Sequence, residues 1–142
     1  MLPDVELIKR IALAAALGGV LGADRELRRK SAGFRTNILI GVGCAVFTIV
    51  STTLSPENPD RIAAQIVTGV GFLGAGTILR GRGNVQGLTT AATVWVNAAL
   101  GMAAGAGQYH LAMIGGAITI AVLAILGPLE SKFEREIGLK RN

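Results

Sequence analysis

One cysteine, one histidine, one tryptophan and one tyrosine are all that 142 residues provide of these types. Cys44 cannot close an internal disulfide, and with a single histidine there is no Cys/His metal cluster. Cys44 lies in an apolar run and reads as a small packing residue; His110 reads as a loop or interfacial side chain. Aromatic residues make up 4% of the chain. A net charge of +5 and a pI near 10.2 therefore come without the interleaved basic and aromatic residues of a nucleic-acid groove, and no nucleic-acid partner is expected. No Ser-His-Asp set or phosphate-cradling loop is present, so the chain is not read as an enzyme. Gly69-x-Gly71-x-x-Gly74 matches the dinucleotide fingerprint by letters only, because it lies inside an apolar run and follows no strand. Charge is the remaining shortage: 16% of residues, against about 25% in soluble domains.

What replaces charge is a set of long apolar runs. Hydrophobic residues are 51% of the chain, and 20 residues are glycine. The pattern predicts an all-α, polytopic transmembrane bundle of about five spans in one domain, at residues 7–23, 37–54, 62–79, 87–106 and 111–129, with a charged tail at 130–142. The first run follows Lys9 and Arg10 and resembles a secretory signal. It ends in Asp24-Arg25-Glu26-Leu27-Arg28-Arg29-Lys30 rather than in a small polar cleavage region, which favours a retained span. Lys9 and Arg10 must then snorkel or pair near one surface. Ser55 to Asp60 reads as a tight polar turn, residues 80–86 as a basic loop, and the tail as a short amphipathic surface helix.

Basic residues set the expected orientation. Arg25, Arg28, Arg29, Lys30, Arg35, Arg80, Arg82, Lys132, Arg135, Lys140 and Arg141 fall on one side of a five-span chain; Lys9, Arg10 and Arg61 fall on the other. The positive-inside rule places the N-terminus outside and the C-terminus in the cytoplasm, with the lipid bilayer as the first partner.

Glycine is concentrated where helices would approach one another closely. Gly18 with Gly22, Gly101 with Gly105, and the group Gly69, Gly71, Gly74 and Gly76 form small-residue pairs suited to close helix packing within the chain or across a homodimer. On the third span, Gln65, Gly69, Phe72 and Gly76 share one face and Gly71 and Gly74 the opposite one, which predicts a central helix or a dimer seam. Thr90, Thr93, Asn97 and Gly101 make a polar stripe on the fourth span. Asn97 is expected near the level of Thr68 and Gln65, bonding to them across helices or lining a cavity. Arg10-Ile11-Ala12, Gly19 to Ala23 and Gly33 to Thr36 recur as Arg61-Ile62-Ala63, Gly71 to Ala75 and Gly87 to Thr90. This suggests that spans one and two repeat as spans three and four.

At the end of the first span, Glu26 with Lys30, or Asp24 with Arg28, can pair at i,i+4. Asp24 and Glu26 also form the one candidate pair of ligands for a hard cation such as Mg²⁺, although the adjacent arginines oppose a tight cation site. The helix starts near Thr36 and Thr89-Thr90 present positive ends at the same layer, which suit a carboxylate or anion. The favoured reading is a pairing network of Asp24, Arg25, Glu26 and Arg35 that closes the cytoplasmic side.

The stretches Gly22 to Glu26 with Ala32 to Thr36, Arg61 to Gly76, Asn84 to Trp95 and Gly105 to Tyr109 together resemble the membrane domain of the MgtC/SapB family. Asp24 stands where that family usually has glutamate, and Phe34 where leucine is usual. Longer members add a cytoplasmic ACT-like domain that has no counterpart in these residues. The resemblance implies a bacterial inner-membrane protein linked to growth in low magnesium and to survival inside host cells (virulence). Some members are labelled magnesium transport proteins; others are regarded as regulators of membrane ATPases. It implies a functional role for Arg10, Asp24, Arg25, Glu26, Arg35, Thr36, Gln65, Thr89, Thr90 and Trp95. Two readings follow: a Mg²⁺ transporter or channel component, or a non-transporting regulator bound to a membrane ATPase or another membrane complex. No bound cofactor other than Mg²⁺ is suggested.

Overall fold

The computed structural model describes residues 2–54, 57–58, 60–81 and 84–136. Its order is α1 (Asp4–Leu27), α2 (Phe34–Leu54), α3 (Asp60–Ala75), β1 (Leu79–Gly81), β2 (Asn84–Gln86), α4 (Leu88–Gly105) and α5 (Tyr109–Glu136). Parts of the expected turn at 55–60, Arg82 of the basic loop, and Lys140 and Arg141 of the tail lie outside the described residues.

Helix ends follow from local chemistry. Pro3 precedes α1, and Asp4 and Glu6 occupy its first turn, where carboxylates oppose the positive end of the helix dipole. At the far end Arg29 adopts φ 52°. The Lys30 amide donates to the Arg25 carbonyl at 2.9 Å and the Arg29 amide to that of Glu26 at 3.0 Å, which is a Schellman stop. α4 ends the same way: Gly107 has φ 77°, the Gln108 amide bonds the Ala103 carbonyl at 2.8 Å, and the Gly107 amide bonds that of Ala104 at 3.0 Å. This stop leaves α5 free to begin at Tyr109.

α1 and α2 extend beyond the expected spans, and the segment after α3 differs in two ways. The third helix stops at Ala75 rather than at residue 79, because the chain tightens there: the Thr77 amide bonds the Gly74 carbonyl at 3.0 Å and the Thr77 hydroxyl bonds the same carbonyl at 2.7 Å. The expected loop at 80–86 is an antiparallel ribbon pairing Leu79 with Gln86, Arg80 with Val85 and Gly81 with Asn84, so the helical fold carries one small hairpin. The backbone of α5 runs without a break into the tail as far as Glu136.

α2 and the segment Tyr109–Gly127 of α5 are long and apolar enough to cross a membrane; Arg61–Ala75 is a shorter apolar helix. α1 carries charge at both ends and α4 carries Thr89, Thr90, Thr93 and Asn97, which lowers the mean hydropathy of each. Apolar burial falls in two groups. Cys44, Ile66, Val70, Val94 and Ala98 link α2, α3 and α4; Ala14, Ala45, Ala104 and Ala112 link α1, α2, α4 and α5. Large apolar side chains such as Leu39, Phe47, Phe72, Leu111, Ile114 and Ile118 point outward, as in a helix bundle solvated by lipid.

Candidate functional site

The centre of the molecule is a seam where α1, α2 and α4 meet along three stripes at i,i+4 spacing: Ala14, Gly18 and Gly22; Asn37, Gly41 and Ala45; Asn97, Gly101 and Gly105. Helical periodicity puts each trio on one face. A Cβ added at Gly18 would lie 2.5 Å from the Asn37 carbonyl oxygen, one at Gly22 2.6 Å from Phe34 Cα, and one at Gly41 2.7 Å from the Ala14 oxygen. Those at Gly101 and Gly105 would each lie 2.5 Å from a carbonyl oxygen, of Gly41 and Ala45 respectively. Backbone therefore touches backbone along the whole seam, the geometry small residues permit in membrane helices.

Inside it, Asn37 and Asn97 are fully buried. The Asn97 amide donates to the Asn37 carbonyl oxygen at 2.7 Å and to its Oδ1 at 3.2 Å. Asn37 Nδ2 in turn donates to the Ala32 and Gly33 carbonyls at 2.5 and 3.1 Å, fastening the α1–α2 loop under the start of α2. Asn97 therefore bonds α2 and not the third helix. Gln65 and Thr68 are exposed, and the Thr68 hydroxyl bonds Ala64 in its own helix. The reason is the floor that Gly41 and Gly101 provide, which brings α4 closer to α2 than any side chain would allow.

The expectation of a central third helix is corrected as well. A Cβ at Gly69 or Gly71 would meet nothing within 4 Å, and one at Gly76 would meet only carbonyls of its own preceding turn. Of the four, Gly74 alone faces a neighbouring helix, with the Ala91 oxygen 3.5 Å from a Cβ there. α3 stands off from α2 across an apolar cleft of about 690 Å³, with Thr36 and Gln65 among its lining. Trp95 lines a second cleft, of about 560 Å³.

At the end where α1 stops and α4 starts, the charged residues separate. Asp24 Oδ1 accepts from Arg28 Nε at 2.8 Å. Glu26 Oε2 accepts the Phe34 amide at 2.8 Å, placing a carboxylate on the positive start of α2. Arg25 is 3% exposed and donates to the Thr90 hydroxyl. Arg35 and Thr89 are exposed. The expected four-residue network is thus replaced by three separate contacts, and Arg35 has no ion pair among the described residues. The two carboxylates do not fit a resident Mg²⁺: one oxygen of each is turned to a different donor, guanidinium groups flank them, and no group of three Asp, Glu, His or Cys converges among the described residues.

At the opposite end Arg10 caps α4 by donating to the Gly105 carbonyl at 2.8 Å, and it pairs with Glu6 at 3.2 Å. The Tyr109 hydroxyl donates to the same Glu6 oxygen at 2.5 Å. That hydroxyl, and then Arg10, holds the Glu6 carboxyl below its usual range, while the carboxylate raises the Tyr109 phenol. Gly107 is favoured here by its φ of 77°, and it leaves room for the Arg10 guanidinium, 2.7 Å from where a Cβ would lie.

Sequence reasoning missed Glu6, Asn37 and Gly41. The spacing Asn37-x3-Gly41-x3-Ala45 duplicates Asn97-x3-Gly101-x3-Gly105 and is the signal that identifies the second stripe. Glu6 and Tyr109 are 103 positions apart, and no local pattern joins them.

A family model described as "MgtC family" matches residues 11–132. "Putative magnesium transporter YhiD" of Escherichia coli K12 is 49% identical over 133 residues, which is 87% of this chain and 62% of that protein. "Protein MgtC" of Salmonella typhimurium LT2 is 50% identical over 116 residues, 82% of this chain and 49% of that protein. "Protein MgtC" of Brucella abortus is 47% identical over 125 residues, 87% and 52% respectively. The chain thus spans about half to three fifths of the length of these relatives. No solved structure matches it.

Proposed function

The chain belongs to the MgtC family, and from that membership we propose that it is a five-span bacterial inner-membrane protein of magnesium homeostasis that regulates another membrane complex rather than conducting the ion itself. The observation that carries this reading is the closed seam. Mg²⁺ requires oxygen ligands with several retained waters. The polar groups inside the seam are instead two neutral amides, Asn97 donating to Asn37 and Asn37 to carbonyls of the α1–α2 loop, and glycines bring the surrounding backbone into contact.

The orientation is read from the two ends of the bundle. The Arg25 contact to Thr90 and the Arg10 contact to Gly105 fix α1 antiparallel to α4, so Arg25, Arg28, Arg29, Lys30, Arg35 and Arg80 gather at one end, which is cytoplasmic by the positive-inside rule. The exposed Phe72 of α3 then marks the face for a second copy or for a partner such as a membrane ATPase. A photo-crosslinking residue at Phe72 in native membranes tests this: a specific adduct with another membrane complex supports regulation, and adducts with the chain itself alone oppose it.

The transporter or channel reading has one observation in its favour, the name carried by the Escherichia coli relative. Its test is Mg²⁺ flux in proteoliposomes.

A further inference from the structure

We propose that the first turn of α4 and the guanidinium of Arg25 form a binding site for a phosphate group. The inference begins with Gly87. This residue is the N-cap of α4, with φ 93° and no side-chain cap bond, and a Cβ there would lie 2.0 Å from the Thr77 carbonyl oxygen. The Ser, Thr, Asp or Asn that normally caps a helix is therefore sterically barred. The leading amides of a helix have no intrahelical acceptor, and together they behave as a positive half-charge. Leu88 and Thr89 in that turn are exposed, so the turn is open to a ligand.

Arg25 is the second and independent observation. It is 3% exposed, its terminal nitrogen reaches the Thr90 hydroxyl in the same turn, and its Nε is buried with no hydrogen-bond partner. A cation has thus been buried against the positive end of a helix, where the local field repels it and burial without a counter-ion is costly. Among the described residues no carboxylate forms an ion pair with it, and Asp24 attracts it only from beyond contact distance. Glu26 is on the start of α2. Asp24 has one oxygen on Arg28, and its other oxygen is buried without a partner. Asp24, Arg25 and Arg28 together leave a net positive charge at this end of α1. α2 shows the completed version of such a helix start, with the Glu26 carboxylate already in place.

Phosphate matches this arrangement better than a carboxylate does. Its several oxygens accept from leading amides and from a guanidinium at the same time. The group can come from a phospholipid head or from free phosphate in solution, and the recognition chemistry is the same for both.

The test uses the full chain, delipidated in a maltoside detergent that contains no phosphate, with melting followed at constant ionic strength. Inorganic phosphate and phosphatidylglycerol are added separately. A rise of a few degrees with inorganic phosphate identifies free phosphate as the source; a rise with phosphatidylglycerol alone identifies the lipid head. Either rise is expected to vanish in Arg25→Gln. Thr89→Glu supplies a carboxylate from an exposed position in the same turn. It is expected to raise the melting temperature without ligand and to abolish the response, which keeps the test decisive where Arg25→Gln does not fold. No response of the wild-type chain to either addition overturns the site, as does a response in Thr89→Glu equal to that of the wild type.

Discussion

Replacing Gly101 by alanine puts a methyl group 2.5 Å from the Gly41 carbonyl oxygen and 3.1 Å from Cys44 Cβ. Ordinary contact begins at 3.4 Å, so α4 must retreat from α2 by about 1 Å, because interiors are close-packed and a helix backbone does not yield locally. The retreat also stretches the 2.7 Å bond from Asn97 to the Asn37 carbonyl. Overpacking of this kind costs about 1–3 kcal/mol. Gly69→Ala is the matched control: it is another glycine in an apolar helix, but its new Cβ meets nothing within 4 Å. Its expected effect is neutral or stabilising by up to about 1 kcal/mol, the helix-propensity difference. The assay is unfolding by titration with a denaturing detergent, followed through Trp95 fluorescence. Equal destabilisation by the two alanines would refute the argument that backbone contact along the α1–α2–α4 seam, and not glycine content, holds this bundle together.

Gly87→Ala is expected to cost more than Gly101→Ala. The left-handed backbone alone costs roughly 1–2 kcal/mol for a residue with a Cβ, and the contact with Thr77 adds to it; a milder effect in the same titration would contradict the hairpin-to-α4 geometry. A double-mutant cycle of Asn37→Ala and Asn97→Ala should give a coupling energy of about 0.5–2 kcal/mol, and strict additivity would mean that the side-chain contact at 3.2 Å contributes nothing beyond the bond to the Asn37 backbone carbonyl. Glu6 titrates below its ordinary 4.5 in the folded chain. Its contribution to stability is therefore complete above 4.5 and is lost as pH falls through the lowered folded value. Melting curves taken across that acidic window should lose this slope in Glu6→Gln, and a wild-type slope retained in the variant would show that the Tyr109–Glu6–Arg10 cluster is not its source.

The helical stretches were legible in the hydropathy, because apolar runs separated by charge have few other readings. Glycine letters were less informative. Gly101 and Gly69 look alike in a sequence, yet one is pressed against the α2 backbone and the other lines an open cleft with nothing within 4 Å of an added Cβ, and only the packing of the helices distinguishes them. Asn37 stands at the edge of an expected span, yet it is the partner of Asn97; its spacing to Gly41 and Ala45 carries that information locally. The cluster of charges after α1 was legible as a cluster but not in its pairing. Which carboxylate meets which donor depends on the left-handed turn at Arg29, which brings the start of α2 within reach of Glu26.

Mg²⁺ uptake into proteoliposomes holding the purified chain, with an imposed membrane potential and a trapped Mg²⁺-sensitive dye, bears most directly on the central claim. A closed seam predicts uptake no faster than in protein-free vesicles, in either direction of the potential. Saturable uptake that depends on the protein would contradict it and establish the chain as a conduit for the ion.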